Sequence, residues 1–142
     1  MIGLHEPFLA GNEWRYVKEC LDSGWVSSSG KFVERFENAV KEYTGANNAV
    51  ACVNGSAALQ VALRIAGISN DDEVIVPSLT FISSINAINY NGAHPVFMDA
   101  DEYYNIDVDK TERFLQTQTE LREGACWNRQ SGRRIAAILV VH

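Results

Sequence analysis

Between Val50 and Ala66 an apolar run, Val50-Ala51-Cys52-Val53, meets Asn54-Gly55-Ser56-Ala57-Ala58 and passes directly into Leu59-Gln60-Val61-Ala62-Leu63-Arg64-Ile65-Ala66. This is the pattern of a buried strand turning sharply into a helix. A helix start carries unpaired backbone N–H groups and the positive end of the helix dipole. Small residues such as Gly55, Ser56 and Ala57 let an anion approach those donors, and the Ser56 hydroxyl adds one more, so the chemistry open to this turn is phosphate binding. Its spacing matches neither the dinucleotide fingerprint nor the lysine-bearing nucleotide loop. Locally, the same residues also describe an ordinary strand-to-helix turn with Ser56 as N-cap.

Other chemistry-bearing residues are scattered. Cys20, Cys52 and Cys126 form no C-x-x-C pair and have no histidines at ligand spacing, which disfavours a disulfide framework and a zinc site and fits a reducing, cytoplasmic setting. No metal site is expected. His5, His94 and His142 lack convincing partners and default to structural roles. Lys18, Lys31, Lys41 and Lys110 fall on predicted helices or at their ends. Arg129, Arg133 and Arg134 are the one local basic cluster and read as a solvated turn. With a net charge of −6 and no basic stripe, general nucleic-acid binding is excluded. No run approaches the length of a membrane span and no basic start precedes an early apolar segment, so neither insertion nor export is expected.

The elements that must position these residues follow from periodicity. Ile2 to Ala10 reads as an extended arm. Trp14, Val17, Cys20 and Leu21 recur at helical spacing from Asn12 to Ser23, where Gly24 stops the helix. The small-residue loop Trp25-Val26-Ser27-Ser28-Ser29-Gly30 leads to a second amphipathic helix, Lys31 to Tyr43, closed by Gly45. Beyond the Gly55 turn come a β-branched strand around Val74-Ile75-Val76, a helix from Phe81 to Tyr90, and a turn at Asn91-Gly92. A strand, Pro95 to Met98, then delivers Asp99 at its carboxyl end. A helix from Asp109 to about Leu121 is capped by Asp107 or Asp109. A small hairpin or irregular excursion spans Gly124 to Gly132, and a last apolar strand runs from Ile135 to Val141. Alternating strands and helices are the grammar of a parallel α/β sheet, in which ligands bind beyond the strands' carboxyl ends; Gly55, Ser56, Thr80, Phe81 and Asp99 all fall there. Composition, 46% hydrophobic and 21% charged over 142 residues, suits a folded domain. The final strand has no helix to cover it, and a parallel sheet buries both faces, so a longer parent polypeptide is expected.

Four segments carry more than pattern: Gly24-Trp25-Val26-Ser27-Ser28-Ser29-Gly30-Lys31 with Phe36-Glu37 after it, Asn54-Gly55-Ser56-Ala57-Ala58-Leu59, Asp72-Glu73-Val74-Ile75-Val76-Pro77-Ser78-Leu79-Thr80-Phe81, and Gly92-Ala93-His94-Pro95-Val96-Phe97-Met98-Asp99. In order and spacing the chain resembles the DegT/DnrJ/EryC1/StrS sugar-nucleotide aminotransferases, members of the aspartate-aminotransferase-like fold (fold type I) that use pyridoxal 5′-phosphate. Leu4-His5-Glu6-Pro7 and the stretch Gly124 to Arg134 look most like the subgroup serving bacterial nonulosonic (legionaminic-like) acid pathways.

The resemblance implies an N-terminal arm with two helices over residues 1–48. Residues 49–142 would be the first part of the cofactor-binding large domain, a partial parallel sheet. Gly55, Ser56 and Ala57 would hold the cofactor phosphate, and Phe81 would lie on the pyridine face, although by periodicity Phe81 also reads as a core aromatic on the Phe81-Ile85-Ile88 face. Trp25, Ser27 and Gly30 would sit near the mouth of the active site, with plain packing an equal alternative for Trp25. No catalytic residue is expected within the chain. The Schiff-base lysine and the aspartate that pairs with the pyridine nitrogen would lie past His142, leaving Asp99 to order its own loop. The expected activity of the parent is transfer of an amino group, with glutamate as donor, to a nucleotide-linked keto-sugar by a homodimer, with residues 1–142 inactive and poorly stable by themselves. A sugar dehydratase of the same fold, or a non-catalytic phosphate-ligand regulator, is the alternative.

Overall fold

The computed structural model describes residues 5–141. Met1–Leu4, with part of the expected arm, and His142 lie outside the described residues. The chain divides into two compact units, Met1–Ala51 and Cys52–His142.

In the first unit, helices α1 (Glu13–Asp22) and α2 (Lys31–Thr44) form where the apolar spacing predicts them. Gly45, at φ 72°, ends α2 by donating its N–H to the Lys41 carbonyl at 2.9 Å, the left-handed cap that glycine adopts without steric cost. The two helices meet through Tyr16 and Phe32, whose ring centroids are 5.2 Å apart, through the Arg35 guanidinium 4.9 Å from the Tyr16 ring centroid, and through a Lys31–Glu19 ion pair. Neither helix contains a buried residue, and Trp14, Leu21, Phe36 and Tyr43 are exposed.

The second unit begins with α3 (Gly55–Ile65), followed by β1 (Glu73–Pro77), α4 (Ile82–Tyr90), β2 (His94–Met98), α5 (Val108–Gln118), β3 (Thr119–Arg122), β4 (Ala125–Asn128) and β5 (Arg134–Ile138). One five-stranded sheet has the order β2-β1-β5-β4-β3. β1 pairs in parallel with β2 and β5, whereas β4 runs antiparallel to both β3 and β5. The sheet is therefore mixed, with a parallel half and an antiparallel hairpin half. Period-2 alternation sorts β1 between two cores. Val74 and Val76 pack with Leu63, Ala87, Ile88 and Leu139, while Ile75 packs with Met98, Ile106 and Ile135. Its run of β-branched residues suits a strand buried on both faces.

Beyond the sheet, which is mixed where a parallel one is expected from the sequence, three expectations change. The helix ending the α5 region stops at Gln118 rather than near Leu121, because Thr119 to Arg122 pair with Ala125 to Asn128 as a hairpin. Its two-residue turn, Glu123 at φ 55° and Gly124 at φ 77°, has the double positive φ of a type I′ turn, the kind whose twist matches a two-residue hairpin. Val50 to Val53 forms no strand: it pairs with none of the described strands, and Val50 and Val53 are almost fully exposed. Finally, the arginine cluster is not merely solvated. Arg134 donates through Nε and a terminal nitrogen to both Asp72 carboxylate oxygens at 2.8 and 2.6 Å and to the Gly67 carbonyl, and Arg129 donates to the Thr119 carbonyl and to Glu120.

Candidate functional site

The turn into α3 is shaped by Asn54. Its backbone is extended (φ −162°, ψ 172°), its side-chain Oδ1 accepts the Ala57 N–H at 2.9 Å, and its carbonyl accepts the Ala58 N–H at 3.1 Å. Asn54, not Ser56, is thus the N-cap. The cap divides the expected phosphate donors. Ala57 has its amide committed to Asn54, while the Gly55 and Ser56 amides and the Ser56 hydroxyl have no hydrogen-bond partner among the described residues. Gly55 is exposed, and a Cβ built there would meet nothing within 4 Å, so the approach to these donors is open. Free N–H groups and a hydroxyl at the positive end of an 11-residue helix are a donor set that fits a phosphate dianion.

Phe81 stands at the start of the neighbouring helix. It is the N-cap residue of α4, with extended backbone (φ −68°, ψ 138°), and is 76% exposed, whereas Ile88 of the same helix is fully buried. Periodicity alone would have put its ring in the core; the extended N-cap backbone turns it out. Thr80 and Ser84 share a hydroxyl–hydroxyl bond of 3.2 Å beside it. Connectivity brings these two helix starts to one end of the sheet. α4 leaves β1 at its carboxyl end. α3 ends one short loop before the amino end of β1 and packs along α4, so its own start lies back at the carboxyl end. Asn91, at the C-terminus of α4, ties the helices together by donating from Nδ2 to the Gln60 carbonyl of α3 at 3.0 Å.

Asp99 leaves β2 at the same end, and its carboxylate accepts from Lys110 Nζ at 2.8 Å while its carbonyl accepts the Asp107 N–H. This orders the β2–α5 loop and holds the Lys110 ammonium above its usual pKa, chiefly through the Asp99 hydrogen bond. Lys18 and Lys31 are likewise engaged, with Asp22 and Glu19. Among the described residues no group of three or more His, Cys, Asp or Glu side chains could hold a metal ion, and no helix is long and apolar enough to cross a membrane.

Trp25, Ser27 and Gly30 belong to the first unit, in the loop between α1 and α2. Gly30, at φ 140°, lies directly under the Trp25 indole; a Cβ there would stand 1.9 Å from Trp25 Nε1. The loop borders a cavity of about 600 Å³ lined by Cys20, Trp25, Val26, Ser27, Ser29 and Phe32. Close approach of the indole and a positive φ both require glycine at 30. Sequence reasoning missed Asn54 as the cap and Arg134 as the partner of Asp72. An N-cap signal at Asn54 was present three residues before Ala57, but Ser56 supplied a competing one.

Residues 8–142 of the chain match the DegT/DnrJ/EryC1/StrS aminotransferase family, and the chain belongs to that family. It is 47% identical over 120 residues to GDP-perosamine synthase of Caulobacter vibrioides, covering 84% of this chain and 32% of the relative. Its fold matches a DegT/DnrJ/EryC1/StrS aminotransferase from Brucella abortus with a TM-score of 0.71 at 30% identity, over 89% of this chain and 31% of that one. The PMP-form of Spr1654 from Streptococcus pneumoniae, described as a sugar aminotransferase, matches with a TM-score of 0.71 at 31% identity, over 79% and 28%. The chain thus spans about a third of the length of the relatives it matches.

Proposed function

We propose that the polypeptide carrying this sequence is a pyridoxal 5′-phosphate-dependent aminotransferase acting on a nucleotide-linked keto-sugar, with glutamate as amino donor, and that residues 1–142 supply its phosphate seat and ring-stacking face. The observation that carries this is the set of unpartnered donors at Gly55 and Ser56, at the open start of α3, in a member of this family. When bound, the cofactor supplies an electron sink for bond changes at the amino-bearing carbon. Gly55 and Ser56 would bind the phosphate through N–H groups and the Ser56 hydroxyl. The exposed Phe81 ring would limit tilt of the pyridine plane and exclude water from that face.

None of the four lysines is proposed to link the cofactor. Lys18, Lys31 and Lys110 are held in ion pairs, and Lys41 lies in the last turn of α2. Residues 1–142 alone are therefore proposed to bind without turning over, and Trp25, Ser27 and Gly30 to border the substrate entrance in a homodimer. The names of the relatives support an aminotransferase over a dehydratase or a non-catalytic regulator. A narrower kinship with nonulosonic-acid enzymes rests on residues 4–7 and 124–134 alone, whereas the relatives include GDP-perosamine synthases.

The test is amino transfer by the intact polypeptide, with glutamate and a nucleotide-linked 4-keto-sugar, followed as 2-oxoglutarate and amino-sugar formation. Cofactor-dependent product from the intact polypeptide and none from residues 1–142 is expected. Full turnover by residues 1–142, or no amino-sugar from any keto-sugar acceptor tried, overturns the reading.

A further inference from the structure

We propose that Asn54 is a positioning residue for the cofactor phosphate, and that its neutrality, rather than its capping ability alone, is what the site requires; this rests on the phosphate seat proposed above. The geometry divides the first turn of α3 between two acceptors. Asn54 Oδ1 takes the Ala57 N–H at 2.9 Å, which fixes the turn and leaves the Gly55 and Ser56 donors without a hydrogen-bond partner among the described residues. A cap is needed for that division, but Asn, Asp and Ser cap a helix about equally well, and the helix dipole by itself favours the aspartate.

The same chain supplies the contrast. α5 is capped in the same manner by Asp107, whose carboxylate accepts the Lys110 N–H at 2.9 Å, and Asp109 adds a second carboxylate in its first turn. α1 and α2 also carry an acidic residue in the first turn, Glu13 and Glu34. The first turns of α3 and α4, the two helix starts at the candidate site, carry none, and the cap of α3 is the uncharged isostere. An aspartate at 54 would serve the unliganded helix well. It would also place a negative charge on the donor adjacent to those a dianion must use. Like charges at that range oppose one another, and Asn54 avoids the conflict while keeping the turn in shape.

The measurement uses the intact polypeptide and two probes that lack an aldehyde and so bond covalently to no lysine: pyridoxamine 5′-phosphate and pyridoxamine. Parent protein is expected to bind the phosphorylated probe at least about a hundredfold more tightly, the scale of several charge-assisted hydrogen bonds. Asn54→Asp should cut that affinity about tenfold or more, leave pyridoxamine binding within about twofold, and leave the melting temperature without ligand equal or slightly raised, since the cap persists and the dipole favours it. Asn54→Ser, neutral and capping, should keep both affinities, and Asp107→Asn on α5 should move neither. Undiminished phosphate-probe binding by Asn54→Asp overturns the proposal, as does an equal loss in Asn54→Ser, which would assign the effect to shape. Should Asn54→Asp fail to fold, a loss of phosphate-probe affinity in Asn54→Ser still overturns the proposal. If the parent itself does not discriminate between the probes, the phosphate seat falls and this proposal falls with it, an outcome distinct from discrimination that Asn54→Asp leaves intact.

Discussion

At Asp72 the Arg134 guanidinium, held at 2.6 Å, pulls the carboxyl pKa from 3.8 to about 2, assisted by the Ser69 N–H and hydroxyl and opposed by burial. Because the folded pKa is the lower one, the resulting stability is fully present above about pH 4 and is lost as pH falls toward 2, a difference of about 2 kcal/mol. Urea titrations between pH 5 and pH 2 should show this slope in the parent and a flattened one in Asp72→Asn. Arg134→Met leaves a nearly buried carboxylate without its cation and should destabilise by about 3 kcal/mol at pH 7, a loss that shrinks as acid protonates Asp72. At the candidate site Ser56 offers a cleaner experiment. Its hydroxyl has no partner among the described residues, so Ser56→Ala should leave the melting temperature alone and weaken pyridoxamine 5′-phosphate binding by about tenfold, the scale of one hydrogen bond to a charged group. A melting loss without an affinity loss would assign Ser56 to the fold instead.

Among the elements, the β3–β4 turn carries a non-glycine residue in left-handed conformation, Glu123 at φ 55°. Asparagine tolerates that region better, so Glu123→Asn should stabilise by about 0.5 kcal/mol, read as a raised midpoint in denaturant with an unchanged slope. In the α1–α2 loop, Gly30→Ala must displace the Trp25 indole and strain a φ of 140°, and should shift tryptophan emission; an unmoved spectrum would show that the loop tolerates a side chain there. Elements whose signal is local were legible in the sequence. The Val74-Ile75-Val76 run gave β1, the apolar spacing gave α1 and α2, and Gly45 gave the end of α2. What failed depends on distant partners. An apolar Val50 to Val53 reads as a strand, but a strand exists only with a neighbour, and nothing in four residues specifies one. The step from α5 into β3 at Thr119 is set by pairing with Asn128, and the Arg134–Asp72 link spans 62 residues of separation. The phosphate-seating turn was visible as a motif, yet the choice of Asn54 over Ser56 as cap depends on backbone angles that composition does not fix.

Over the whole molecule, apolar surface is distributed unevenly. Every residue of β1 is buried, while α1 and α2 bury none, and Phe8, Trp14, Val53, Ile65, Phe81 and Leu121 lie largely open. Both outer strands of the sheet, β2 and β3, present an unpaired edge within the described residues. Exposed apolar patches with open edges favour association between copies. Residues 1–142 expressed alone are therefore expected to bind a hydrophobic dye and to elute above the monomer mass at micromolar concentration; a monodisperse monomer with a sharp cooperative melt would contradict this.

The double flanking of β1 also sets an order of solvent exchange. Its amides are bonded into parallel partners on both edges and roofed by a separate apolar cluster on each face. Deuterium should enter the amides of residues 73–76 last and through global opening alone, long after it has saturated the two leading helices.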